Sequence, residues 1–391
     1  MSILAADERR QRVVESLELP ERGSVPVLDR ITRIARRMFD VPSSAVTVFD
    51  AERAFLSGAS GDDLPPWVPR EHTFCQQVVD SCAVVTTSDA TTDPRFRDLP
   101  AVRADPAIRF YLGHPLVEPG GTVIGAFCVF DTRTREFDEV QVAEFSDLAA
   151  WAQRELLAEA ESSRARAAQT ALVPDRPVHV GDWAVTGRCV AALNVGGDYF
   201  DYGGEGTVLH AGLADVMGKG TAAALLGSSV HGALRGGIQA VTEGMDLGRY
   251  LQRAESQLAD ELDRSGAFVT LFQLAVDTTT HRVRYADAGF GLALLLRADG
   301  GCERLAGDDP PLGLSSGTRS EHTVDLLPGD RIVCASDGIL DLLDDPLDWM
   351  AALDAIVRPL TDDEAVDAIL GLATERPPLD DVTVVIVHRQ H

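Results

Sequence analysis

The segment Val195-Gly-Gly-Asp-Tyr-Phe-Asp201, read together with Ala214-Asp-Val-Met-Gly-Lys-Gly220, decides how the second half of this chain folds. Asp198 stands directly after a glycine pair. Asp215 closes an apolar strand (Val208, Leu209, Ala211, Leu213) shortly before another glycine, and Gly203-Gly204 reads as the turn between the two pieces. Two later positions repeat the setting. Asp337 follows the strand 331–336 and precedes Gly338, while the pair Asp380-Asp381 precedes the strand 382–387. Carboxylates at strand ends, beside residues small enough for backbone to approach, suit a hard divalent cation, whose oxygen ligands converge to about 2.0–2.6 Å. Any one aspartate after Gly-Gly is most often a turn residue; the ordered set of them is what points to ions.

Composition bounds the reading. At 391 residues the chain is long for one core, so two domains are expected. Hydrophobic residues make up 45% and charged residues 25%, the proportions of a folded globular chain. A formal net charge of −26 argues against nucleic acid as a partner, because phosphate backbones are held by basic surfaces. No apolar run approaches the ~20 residues of a membrane span, and the charged N-terminus lacks a signal-peptide core. Cysteines 75, 82, 128, 189, 302 and 334 show no Cys-x-x-Cys spacing, so neither a disulfide framework nor a structural zinc site is expected. The expectation is a cytoplasmic protein with reduced thiols and no membrane association.

Residues 1–40 read as helical, with Val27, Leu28, Ile31, Ile34, Ala35 and Met38 forming one apolar face. Strand-like segments follow at 45–49 and 83–87, with a short helix at 74–79 between them. Segments 108–112 and 122–130 read as adjacent antiparallel strands joined through Pro119-Gly-Gly121. The series Phe74-Cys75, Asp93-Pro94-Arg95-Phe96, Ile108-Arg-Phe-Tyr111, Gly113-His-Pro-Leu116, Gly125, Cys128-Val129 and Asp131 resembles a GAF domain over about residues 20–158. That resemblance implies a sheet with helices packed against it, and a small-molecule ligand, a dimerising role or a relay role. Cys75, Cys82 and Cys128 offer thiols for a chromophore or an oxidant, against the commoner role of a buried inert thiol. His114 is read as a hydrogen-bonded structural histidine.

Helical spacing then returns in Val142, Phe145, Leu148, Trp151-Ala152, Leu156 and Ala160, and the helix stops at Pro174. This gives a GAF domain over 1–158, a linker helix over 138–174 that overlaps its end, and a second domain over 175–391. The linker is either a spacer or the stalk of a homodimer. Beyond it, strands are expected at 183–190, 207–214, 267–276, 283–288, 292–296, 331–335 and 382–387, with helices at 222–240, 246–262 and within 346–374. Several strands meander antiparallel, which favours an α+β sandwich over a doubly wound parallel sheet.

The aspartates, taken with Gln169-x-x-Leu-Val-Pro174, Ala288-Gly-Phe-Gly291, Pro311-Leu-Gly-Leu314, Leu327-Pro-Gly-Asp330 and Ser336-Asp-Gly338, resemble the SpoIIE/RsbU-type branch of the metal-dependent (PPM-type) protein phosphatases over about residues 165–388. The resemblance implies a β-sandwich between helical layers, two Mn²⁺ or Mg²⁺ ions, and a phosphorylated protein as substrate, such as an anti-sigma factor antagonist. By position, Asp215 would bridge the ions and the Val216 carbonyl would add a ligand. Asp198 would serve one metal side, and Asp337 with Asp380 the other; Asp380 is favoured over Asp381, the second of the pair. Two ions about 3.5–4 Å apart acidify a water and neutralise phosphoryl oxygens, so no nucleophilic Ser or Cys is needed.

Three departures from the family pattern stand out. Met217 occupies the place of a histidine found in some relatives, Phe290 replaces a histidine and is read as packing, and Lys219 is read as solvated or near substrate. Asp201 is expected to support the turn or outer-shell waters, and Asp182, Asp308-Asp309, Asp330 and Asp344-Asp345 to be loop or turn charges. Two other classes compete: a catalytically inactive scaffold binding the same partner, and a nucleotide cyclase suggested by Gly196-Gly-Asp-Tyr-Phe200. Tyr199 stands where a diguanylate cyclase needs an acid, which disfavours the cyclase. Connectivity further suggests that a signal at the GAF domain acts through the linker helix.

Overall fold

A computed structural model describes residues 3–19, 23–61, 64–315 and 317–390. The chain divides into two compact units, Met1–Arg164 and Ala165–His391. The first contains α1 (Ile3–Ser16), α2 (Pro26–Phe39), β1 (Ser43–Phe49), β2 (Arg53–Ser60), β3 (Trp67–Pro69), α3 (Cys75–Ser81), β4 (Val85–Thr87), α4 (Pro100–Arg103), β5 (Phe110–Val117), β6 (Val123–Asp131) and most of α5 (Glu139–Thr170). Its six strands form one antiparallel sheet in the order β3-β2-β1-β6-β5-β4.

Local chemistry explains where these elements start and stop. Pro26 opens α2, where its fixed φ suits a first helical turn, and Asp29 and Arg36-Arg37 complement the two ends of the helix dipole. One side of the sheet packs on Leu28, Ile31 and Ala35 of α2 and on Phe145, Ala149, Ala152, Leu156 and Ala160 of α5. The opposite side covers Phe74, Cys75, Val78 and Val79 with Phe96 and Tyr111. The apolar stripe of α5, which the sequence offers as a dimer seam, is therefore buried within this unit's own core. Cys75 and Cys128 are both buried with their sulfurs 3.7 Å apart, and the Tyr111 hydroxyl donates to Cys75 at 3.3 Å. His114 keeps Nδ1 2.9 Å from the Pro115 carbonyl, a structural contact as expected.

The second unit holds β7 (Val178–Val180), β8 (Trp183–Val190), β9 (Tyr199–Glu205), β10 (Val208–Val216), α6 (Gly220–Thr242), α7 (Leu247–Ser265), β11 (Val269–Asp277), β12 (Arg282–Ala288), β13 (Ala293–Leu296), β14 (Cys302–Leu305), β15 (His322–Asp325), β16 (Arg331–Ala335), α8 (Trp349–Val357), α9 (Asp362–Glu375) and β17 (Val382–Arg389). Two antiparallel sheets result, β15-β12-β11-β10-β9 and β14-β13-β16-β17-β8-β7. Side chains alternate faces along each strand, so one strand serves two cores. Leu209, Ala211 and Leu213 of β10 meet Val385 and Val387 of β17 in the sandwich interior. Ala214 and Val216 instead face α6 and α7, while Val382, Val384 and Ile386 face α8 and α9. The α+β sandwich between helix pairs is thus the observed architecture. Helix ends are capped as their sequences dictate: Asp246 accepts from the Arg249 amide, Gly266 closes α7 at φ 64, and Thr361 with Glu364 makes a capping box on α9.

One turn lies elsewhere than expected. Gly203 and Gly204 continue β9, opposite His210 and Leu209, and the chain reverses at Gly206, which adopts φ 60. The glycine pair is needed for space: a Cβ on Gly203 would come within 2.8 Å of the His210 ring, and one on Gly204 within 2.3 Å of Val180. Strands β2, β3, β7, β9, β14 and β15 are additions to the expected set.

In the first unit the tightest approach is at Gly125, where a Cβ would lie 1.9 Å from the Thr47 carbonyl across β1 and β6. Neither backbone can retreat without breaking the ladder. Gly125→Ala is expected to cost about 3 kcal/mol or more, read as a lowered midpoint in chemical unfolding.

Candidate metal centre

Four short segments bring the acidic residues to one end of the sandwich. Asp198 lies in the β8–β9 loop immediately before β9, Asp215 is the penultimate residue of β10, Asp337 begins the 3-10 turn after β16, and Asp380-Asp381 leads into β17. The two members of that pair behave differently. Asp381 is 5% exposed, and its carboxylate accepts from the amides of Ala192 (2.8 Å) and Gly197 (2.7 Å), with Asp198 N at 3.4 Å. Its backbone carbonyl accepts from the Ser336 hydroxyl at 3.0 Å. Asp380 is freer: one oxygen takes the Asp381 amide at 2.9 Å and the other meets the Lys219 ammonium at 3.1 Å.

Glycines make this density possible. A Cβ on Gly196 would lie 2.0 Å from the Asp381 carboxylate, and one on Gly338 would lie 2.2 Å from the Asp381 carbonyl. Gly197 faces the Val216 carbonyl at 2.7 Å from where its Cβ would be. Asp198 is 7% exposed and accepts from the Thr383 hydroxyl at 2.5 Å. The Ser336 hydroxyl in turn accepts from the Thr383 amide at 2.8 Å. Thr383 carries no sequence signal of this role, since Thr at a strand start is common, and Ser336 was visible only within Ser336-Asp-Gly338. Gln169 was visible only as part of a motif.

The electrostatics follow from burial and like charge. Burial, and then the neighbouring Asp215, push the Asp198 carboxyl well above the usual range, against the pull of the Ser336 and Thr383 hydroxyls. Asp215 is raised to about 7 by burial and by Asp337, Asp380 and Asp381, with Lys219 opposing. Asp337 is raised by burial, Asp380 and Asp341, again against Lys219. The Lys219 ammonium, held by Asp380 and by a hydrogen bond to the Leu379 carbonyl, is the cation this cluster already contains.

These residues fit a hard divalent ion in kind: the donors are carboxylate and carbonyl oxygens, and the surplus of negative charge is met by a single lysine. Among the described residues no three His, Cys, Asp or Glu side chains form a ready-made ion cage. What the aspartates share is a field, not a closed shell. Asp201 lies apart, on β9 facing Arg235 at 3.4 Å. Phe290 packs in the sandwich core, and Asp330 is a buried turn residue tied to Arg297 at 3.0 Å.

The two-sheet sandwich between helix pairs is a fold shared with a PP2C domain of known structure. The SiaA-PP2C domain of Pseudomonas aeruginosa superposes with a TM-score of 0.53 at 22% identity, over 62% of this chain and 100% of that one. The RsbU and RsbW domains of Rv1364c from Mycobacterium tuberculosis give a TM-score of 0.49 at 25% identity, over 56% of this chain and 62% of that one. The family model of stage II sporulation protein E (SpoIIE) matches residues 205–390, and that of the GAF domain matches residues 25–156. The chain is a GAF domain followed by a SpoIIE-type domain of PPM fold. A curated relative, cyclic di-GMP phosphodiesterase PA2567 of Pseudomonas aeruginosa, is 36% identical over 129 residues, a third of this chain. The match spans only 22% of that protein. Among the described residues no helix is long and apolar enough to cross a membrane.

A carboxyl whose folded pKa exceeds its unfolded value stabilises the fold below the unfolded pKa, and that stability is lost as pH rises through the folded one. For Asp215 the window runs from about 4 to 7. In chelator, stability is expected to fall by about 2 kcal/mol between pH 5 and 8. Asp215→Asn should flatten this dependence, as should saturating manganese; urea unfolding at the two pH values measures it.

Proposed function

We propose that this protein is a metal-dependent phosphoserine/phosphothreonine protein phosphatase, in which Asp198, Asp215, Asp337 and Asp380 hold two Mn²⁺ or Mg²⁺ ions. The Val216 carbonyl adds a further oxygen donor. The observation that carries the reading is the mutual repulsion gathered on Asp215, which burial and three neighbouring carboxylates raise to about 7. A fold does not keep such a cluster at a strand end for stability, because an unpaired buried charge is costly. Asp380 is assigned over Asp381 because the Asp381 oxygens are already committed to backbone amides.

Bound there, a pair of divalent ions would supply an acidified water and charge to neutralise the phosphoryl oxygens. The chain's own residues do the rest. Asp381 holds the loop that carries Asp198, Thr383 orients the Asp198 carboxylate, and Lys219 lies beside Asp380 where a phosphoryl group would add negative charge. Membership of the SpoIIE family supports a phosphorylated anti-sigma factor antagonist as substrate. The GAF half, over 1–158, is assigned a sensing role with a small-molecule ligand, and the phosphatase domain 175–391. The cytoplasm suits its cysteines, all free in the structure.

Manganese-dependent hydrolysis of a phosphatase reporter or a phosphoserine peptide tests the activity. Asp215→Asn should lower kcat by more than the ~10–100-fold that loss of an outer-shell partner costs. Unchanged hydrolysis by this variant would overturn the site assignment.

A further inference from the structure

The loop that delivers Asp198 is held from two sides. On one side stands the Asp381 carboxylate, as described above. On the other stands the last turn and a half of α5, through four hydrogen bonds. Arg166 donates from Nε to the Asn194 carbonyl and from Nη2 to Asn194 Oδ1, both at 3.0 Å. Gln169 donates from Nε2 to the Gly196 carbonyl at 2.7 Å and accepts from the Gly196 amide at 3.1 Å.

A single side-chain amide thus satisfies both backbone groups of one residue, as a neighbouring β-strand would. Only a carboxamide offers a donor and an acceptor side by side in this way; a carboxylate accepts only, and Lys or Arg only donates. Gly196 has no freedom to be held by its own side chain, because a Cβ there would strike Asp381. Beside the loop lies a cavity of about 480 Å³ lined by Gln169, Val173, Cys189, Asn194, Asp198 and Phe200. On this side the loop is held by the α5 contacts of Arg166 and Gln169.

We propose that Gln169, assisted by Arg166, is a positioning residue for the metal centre: it fixes the Asn194–Asp198 loop so that Asp198 stands opposite Asp215. It touches neither ion nor substrate and acts through Gly196. The metal arm of this inference rests on the reading under Proposed function; the loop arm does not.

The test uses the full chain with Gln169→Met, which keeps the length and removes both hydrogen bonds, and Gln169→Glu, which keeps only the acceptor. Amide hydrogen exchange of the peptide spanning 192–199, in chelator, should quicken about tenfold or more in Gln169→Met and less in Gln169→Glu. Exchange of the β11 and β17 peptides should be unchanged. Manganese titration by calorimetry should show Kd weakened about 10–100-fold in Gln169→Met. Unaltered exchange of 192–199 in a folded variant overturns the proposal. So does exchange that rises equally in every peptide, which marks a merely structural residue. If one variant fails to fold, the other decides. If the wild-type chain takes up no manganese, the phosphatase reading falls, and the exchange arm alone judges the clasp.

Discussion

One buried carboxylate, that of Asp381, ties together the loops at the aspartate-bearing end of the sandwich. Its oxygens accept backbone amides from the β8–β9 loop, and its carbonyl accepts the hydroxyl of Ser336 at the end of β16. A carboxylate facing several N–H groups is strongly held, because each bond is charge-assisted and no water competes. Its partners must come very close, and that is why Gly196 stands against its carboxylate and Gly338 against its carbonyl. Remove this residue and the Asp198 loop, the Asp337 turn and the start of β17 lose their common anchor.

The rest of the sandwich serves to bring that anchor and the other carboxylates to one edge. β10 delivers Asp215 from one sheet, and β16 and β17 deliver Asp337 and Asp380 from the other. The inner faces, rich in Leu, Val and Phe, fix the two sheets against each other, and the outer faces are sealed by α6–α7 and α8–α9. The hydrophobic packing thereby holds like charges nearer than they would settle in water.

Much of this was legible in the sequence, for identifiable reasons. β10, β16 and β17 alternate residues strictly between two buried faces, so their periodicity is strong. Their terminal aspartates stood out because charge interrupts an apolar run. β14 and β15 did not stand out: their residues are largely exposed, and their pairing is set by neighbours distant in sequence. Gly203-Gly204 was read as a turn because glycine pairs commonly are, yet here they make room for His210 and Val180. Asp380 was favoured over Asp381 only through the family resemblance; the physical reason, that the Asp381 oxygens are committed to backbone amides, is not legible in the sequence. The α5 stripe read as a possible seam because a helix face shows that it is apolar, not what covers it.

Lys219 carries a last consequence. Its ammonium rests on Asp380, burial and neighbouring carboxylates raise Asp215 to about 7, and both answer the same excess of negative charge. The end of the sandwich is thus a patch of surplus negative charge whose balance moves with acidity: as Asp215 loses its proton, the electrostatic demand on the one ammonium beside Asp380 grows.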